Sequence, residues 1–168
     1  PSNQDDEHVS SGELRTIVTD AGQLIPTRHR AMLLNILDLE EVSVDDIMVP
    51  RNDVYGIDLA DSDEEILRAL QGSSHTRLPV WDDDINNIRG VLHMRNLSRI
   101  LEKNGLDRAA LEREMEQPYF IPESTPLNTQ LINFQKGRRR FGVVVDEYGD
   151  VLGLATLEDI LEEIVGDF

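Results

Sequence analysis

The chain has no cysteine among its 168 residues, which excludes disulfides and thiolate metal sites and fits a reducing compartment. It has no run approaching the ~18 to 20 apolar residues that a membrane helix requires, and no secretory leader is visible at its start. As given, it reads as a soluble chain. Basic residues are scarce: 16 Lys and Arg stand against 33 Asp and Glu, a formal net charge of -17. Nucleic acid rewards clustered Lys and Arg and is an unsuitable partner, and any anionic ligand needs a local basic pocket. What is present is ordinary globular material, 39% hydrophobic and long enough for one core of common size. The sequence starts on Pro1 rather than Met and stops at Phe168 straight after a strong helix, so a piece of a longer protein is expected.

The organising stretch is Phe141 to Asp159. Phe141 to Val145 is a short apolar, β-branched run, Asp146 to Asp150 holds turn residues, Val151 to Leu154 begins a second strand, and Thr156 opens a helix. The pattern occurs once more upstream, as Leu78-Pro79-Val80-Trp81, an acidic turn at Asp82-Asp83-Asp84, then Ile88 to Leu92 and a helix. Gly90 and Gly153, Asp83 and Asp146, Val80 and Val143, and Arg77 and Arg140 are each 63 residues apart. Such a repeat buries an apolar sheet face against its own copy, which predicts two βαββα units in an α/β fold.

The remaining segments follow from periodicity and caps. Residues 1–12 are polar and acidic and are expected to be a disordered lead-in. Residues 13–42 form a helical segment. Leu14, Ile17, Val18 and Ala21 recur at helical spacing up to Gly22, and a second helix after Pro26 carries Met32, Leu33, Ile36, Leu37 and Leu39. The first repeat is placed at 43–103, with Ser43 and Ser62 as caps, a strand at Val54 to Ile57, and Ile66, Leu67 and Leu70 on one helix face. A linker helix at 104–117 follows, capped by Asp107. The second repeat at 118–168 opens with a strand at Tyr119 to Pro122 and a helix whose first turn accommodates Pro126.

Thr156-Leu157-Glu158-Asp159 has the spacing of a capping box, in which hydroxyl and carboxylate satisfy orphan N–H groups. The same helix start suits an anion, with Asp159 accepting from a ribose diol, and local sequence leaves both readings open. Arg138-Arg139-Arg140 is a phosphate contact or a solvated cluster. Asp82-Asp83-Asp84 reads as a solvated turn, because consecutive carboxylates point in different directions and lack a defined ligand loop. Glu158, Glu162 and Glu163 read as an exposed acidic face, and the four histidines show no metal-ligand spacing. No nucleophile has a sequence-adjacent base, so no catalytic residue and no catalytic cofactor is expected.

Gly153-x-x-Thr156-x-x-Asp159 after a strand, in a tandem unit with Leu78-Pro79-Val80 in its first copy, resembles the CBS domain, and the resemblance spans Val44 to Gly166. More narrowly, Asp46-Ile47-Met48-Val49-Pro50-Arg51, His75-Thr76-Arg77-Leu78-Pro79-Val80, Asp146-Glu147-Tyr148-Gly149 and the run from Glu158 to Asp167 are similar to the CorC/HlyC family, related to the CNNM proteins. The resemblance implies a paired (Bateman) module with N-terminal helices. An adenine nucleotide, ATP or AMP, with or without Mg2+, would lie in the cleft of the pair. Thr156 and Asp159 would take the ribose side, Val49, Pro50 and His75 would flank base or sugar, and Arg77 or Arg140 would face phosphate. His93 and Asn96 stand where the second copy has Thr156 and Asp159, so the first half-site lacks the carboxylate. The implied protein is a homodimeric regulatory module on the cytoplasmic face of the inner membrane, attached to the transmembrane domain of a magnesium and cobalt efflux protein. The alternatives are a dimerisation scaffold with a non-binding cleft and a nucleotide-processing enzyme, for which residues are lacking.

Overall fold

The computed structural model describes residues 9–166, so residues 1–8 of the expected lead-in and the last two of the second copy lie outside it. The chain divides into two compact units. One, helical, holds residues up to 47, Ser124–Arg140 and the chain from Thr156; the other, which holds the sheets, comprises Met48–Glu123 and Phe141–Ala155.

In chain order, α1 (Ser11–Asp20) starts earlier than expected, because the Ser10 hydroxyl accepts from the Glu13 amide at 3.1 Å and recruits Ser11 and Gly12 into the first turn. A tight turn follows, held by Arg30 Nη2 donating to the Gly22 carbonyl, and leads into α2 (Thr27–Asp38). After α3 (Val44–Ile47) comes the two-residue strand β1 (Val49–Pro50). The strand expected at Val54 to Ile57 is β2 (Ile57–Asp58) instead. Arg51 to Asp53 form a single helical turn closed by the Val54 amide on the Arg51 carbonyl, and that turn delays extended geometry.

Next are α4 (Asp63–Gln71), capped by Ser62 as expected, and the hairpin strands β3 (Arg77–Asp82) and β4 (Asp84–His93). The first copy closes on the four-residue α5 (Leu97–Ile100). A small hairpin, β5 (Leu101–Glu102) with β6 (Gly105–Leu106), then occupies part of the expected linker helix. That helix is reduced to α6 (Arg108–Glu114), capped by Asp107. The second copy supplies β7 (Phe120–Pro122), α7 (Leu127–Gly137), β8 (Phe141–Val145), β9 (Val151–Thr156) and α8 (Leu157–Val165). Pro126 is the cap residue of α7 and not its first helical residue, since its ψ of 147° is extended.

Within the sheet unit, β2 runs parallel to β3 and β3 antiparallel to β4, while the second sheet has the order β1-β9-β8-β7. Each copy therefore contributes one sheet, and the leading segment of each copy crosses onto the other's hairpin. Val49 and Pro50 lie opposite Leu154 and Gly153, and Glu116, just ahead of the second copy, exchanges both backbone bonds with Val91 at 2.9 Å. The repeated glycines permit both crossings. A Cβ on Gly153 would sit 2.1 Å from the Val49 carbonyl oxygen, and one on Gly90 would sit 2.7 Å from that of Glu116.

One buried cluster of this unit joins Ile57, Ile66, Leu70, Leu78, Leu92 and Leu111 beneath the first sheet. A second draws Ile85 of the first copy together with Val143, Val151 and Leu154 of the second. Removing apolar area from water drives both, at roughly 25 cal/mol per Å2. Arg108 ties α6 to the start of α4 by donating to Asp63 and to the carbonyls of Leu59 and Asp61 at 2.6 to 2.8 Å.

The helical unit buries Leu39, Val44, Leu127, Gln130, Phe134 and Ile160. Its chain crossings are backbone bonds from Val44 to Thr125 and from Leu127 to Val42, and Asn35 Nδ2 donates to the Ile164 carbonyl at 3.0 Å. By contrast, α1 and α2 have no fully buried residue, and their apolar stripes are partly open, Ile17 being 59% and Ile36 45% exposed.

Candidate functional site

The start of α8 is a complete capping box: Thr156 Oγ1 accepts from the Asp159 amide at 3.1 Å and Asp159 Oδ2 accepts from the Thr156 amide at 3.0 Å. The Leu157 amide is taken by the Arg140 carbonyl at 2.9 Å, which leaves Glu158 as the remaining first-turn donor. Both Thr156 and Asp159 are half-buried. Asp159 Oδ1 has no partner among the described residues, so one charged acceptor stays available while the other oxygen maintains the helix. The exposed Arg140 side chain reaches Glu158 Oε1 only at 3.4 Å, a loose pair that contributes little to stability and leaves the guanidinium recruitable. Thus Thr156, Asp159 and Arg140 come together at one helix start in the helical unit.

The other expected site residues belong to the sheet unit. Val49 and Pro50 form an exposed edge strand. His75 is exposed, and its ring lies 5.7 Å from that of Tyr55 at a tilt of 38°; Tyr55 is fixed by its hydroxyl donating to the Ala69 carbonyl at 2.5 Å. Tyr55 was not singled out from sequence, because an isolated aromatic inside a short apolar run carries no distinguishing pattern. Arg77 opens β3 opposite His93.

At the equivalent point of the first copy the chemistry differs. His93 Nδ1 accepts from the Arg95 amide at 3.1 Å, two residues on instead of three, and the Asn96 side chain makes no cap bond. Burial, then the Arg77 and Arg95 guanidiniums, push the His93 pKa below its ordinary value against the opposing pull of Glu116.

The acidic turn is solvated as expected, with Asp83 and Asp84 exposed, and it also carries surface ion pairs. Asp82 pairs with Arg89 and Asp84 with Arg51, and Asp83 takes a left-handed φ of 66° at the turn itself. Asp146 likewise organises its own turn, its Oδ1 accepting from the Tyr148 and Asp150 amides at 2.9 Å. Among the described residues no three His, Asp or Glu side chains gather as a metal site, and Glu158, Glu162 and Glu163 are exposed. No helix among them is long and apolar enough to cross a membrane.

The repeated βαββα plan with crossed leading strands agrees with comparisons to known proteins. The CBS domain family matches residues 44–103 and 113–166. A UPF0053 protein of Haemophilus influenzae is 52% identical over 95% of this chain and 39% of its own length. The UPF0053 inner membrane protein YfjD of Escherichia coli is 47% identical over 95% and 38%. The magnesium and cobalt efflux protein CorC of Escherichia coli is 32% identical over 96% of this chain and 56% of its own. The chain thus spans about two fifths to just over half of these relatives.

Among solved structures, a CBS-domain pair with bound AMP from Klebsiella pneumoniae is 47% identical, covering 74% of this chain and 99% of that one, at a TM-score of 0.69. The CBS domain of a bacterial CNNM/CorC family Mg2+ transporter in complex with ATP is 31% identical, covering 83% and 99%, at a TM-score of 0.74. This chain belongs to the CBS-domain family, as a tandem pair of the CorC/HlyC, CNNM-related type.

Proposed function

We propose that this pair is the cytoplasmic regulatory module of a membrane-anchored divalent-cation efflux protein, and that it binds ATP or AMP. The observation that carries the reading is the start of α8, where Asp159 Oδ1 has no partner among the described residues and lies at the same helix start as the Thr156 hydroxyl and the Glu158 amide. A ribose diol donates to a charged oxygen, and a helix start favours an anion. Thr156 and Asp159 take the ribose. Val49, Pro50 and His75 flank base or sugar, and Arg77 or Arg140 faces phosphate, with or without Mg2+. The related pairs bound to AMP and to ATP support this choice of ligand.

In this reading residues 43–103 and 118–168 are the two sensing repeats, 104–117 links them, and 13–42 leads toward the membrane domain. The partly open apolar stripes of α1 and α2 support that last role. The module is a homodimer through α8, whose Leu161 and Val165 are 43% and 37% exposed. Nucleotide acts by population shift: it favours one arrangement of the module only through its differential affinity, and the end helices carry that bias to the transporter. The module turns nothing over, for no activated nucleophile or ordered base accompanies the site.

A second reading, a dimerisation scaffold with no ligand, is favoured by the capping box itself, since Thr156 Oγ1 and Asp159 Oδ2 already have backbone partners. Titration of the protein with ATP and AMP, with and without Mg2+, separates the two. Saturable binding with the nucleotide recovered intact supports the regulatory module. Absence of binding selects the scaffold, and phosphate release lost in D159A would overturn both.

A further inference from the structure

We propose that Arg51 is a positioning residue that clasps the turn after β1 to the start of β9, and so holds Val49 and Pro50 in place to receive the nucleotide; this rests on the nucleotide reading above. Arg51 follows β1 directly. Its Nη1 donates to Asn86 Oδ1 at 2.8 Å and to the Val151 carbonyl at 3.2 Å, and its Nη2 donates to Asp84 Oδ1 at 2.9 Å. Asn86 Oδ1 accepts in turn from the Val151 amide at 2.8 Å, and Asn86 Nδ2 approaches Asp150 Oδ1 at 3.4 Å. Both backbone groups of Val151 are therefore held by side chains of the other copy.

The strand that needs holding is weak by itself. β1 has two residues, lies at the edge of its sheet, and is matched to β9 only at Leu154 and Gly153. Val49 is 39% exposed, so core burial does not anchor it. Without the clasp, β1 would fray from β9, as short edge segments do. Arg51 is 37% exposed, so its ion pair with Asp84 contributes little. The planar fork, which bonds Asn86 and a carbonyl together, is the part a lysine cannot reproduce. The second crossing lacks the device: Pro118, which stands two residues after Glu116 as Arg51 stands two after Val49, has no side-chain donor, so the clasp serves one side of the pair.

The test compares wild type with R51M, R51K and N86A by thermal melt, ATP and AMP titration, and hydrogen exchange at the Val151 amide. R51M and R51K should both bind nucleotide about fivefold or more weakly while melting near wild type, and their Val151 amide should exchange about tenfold faster. Bound nucleotide should slow that exchange in wild type and fail to do so in R51M. N86A removes the Val151 amide's own acceptor, so exchange there should quicken at least as much as in R51M; because the Arg51 to Val151 bond stays in place, its loss of nucleotide affinity should be smaller, and that loss decides the matter if the Arg51 variants do not fold. R51M or R51K binding as tightly as wild type overturns the clasp and leaves the nucleotide reading intact. An unchanged Val151 exchange rate in R51M also overturns it, whether or not nucleotide binds. Wild type that binds no nucleotide overturns the function reading first, and the positioning role with it.

Discussion

Thr156 has a capping role and a proposed binding role, and a single substitution separates them only if both stability and affinity are measured. Its hydroxyl caps α8 by accepting from the Asp159 amide, and the proposed ribose contact uses the same side chain. Thr156→Ala should therefore cost about 1 kcal/mol in denaturant unfolding and, beyond that, weaken nucleotide binding. Loss of stability with unchanged affinity would reduce Thr156 to a cap. His93 makes the first copy pH-sensitive. Its folded-state pKa lies below the ordinary 6.5, so between those two values the unfolded chain holds a proton that the native chain does not. Stability should fall as pH drops through 6.5 and level off below the folded value, and H93Q should flatten the profile. An unchanged profile in H93Q would assign the pH dependence elsewhere. The capping box was legible from the Thr156 to Asp159 spacing. Whether Asp159 kept a spare oxygen was not, because that depends on which carboxylate atom turns toward the backbone.

At the scale of elements, helices with caps and a stripe were legible and two-residue strands were not. Ser62, Asp107 and Thr156 each cap the helix expected of them. β1 carries no periodicity at all, and its pairing with β9 exists only because Gly153 lets the Val49 carbonyl approach. The hairpin of β5 and β6 was likewise missed, its turn and β6 falling inside the expected linker helix, although Asn104-Gly105 is a turn signal. The paired crossings make a graded expectation. Gly153→Ala must push β1 off its strand and should destabilise by about 1 to 3 kcal/mol. Gly90→Ala meets Glu116 less closely and should cost less. Equal costs, or none, measured by urea unfolding would contradict the crossing geometry.

For the whole molecule, the 63-residue repeat was the strongest signal, because register in sequence carries directly into matching sheets and matching glycines. The division into a helical and a sheet unit was not legible, since it cuts across both repeats. The proposed homodimer is the property least written in the chain, and the proposal rests on the apolar residues α8 leaves open. Light scattering at tens of micromolar should give the mass of a dimer, reduced toward that of a monomer in L161E, because a buried unpaired charge is costly. A monomeric wild type would remove the homodimer from the account.

The proposal turns on one adenine nucleotide held at the start of α8 and none at the equivalent point of the first copy. Asn96 there is neutral and lies ahead of a helix of only four residues. Calorimetric titration of wild type, D159N and N96A tests this most directly. D159N keeps the size of the side chain and an oxygen for the Thr156 amide, but removes the charge. One nucleotide should bind per chain, with affinity reduced about tenfold or more in D159N and N96A close to wild type. Two sites per chain, or equal losses at positions 96 and 159, would contradict the proposal.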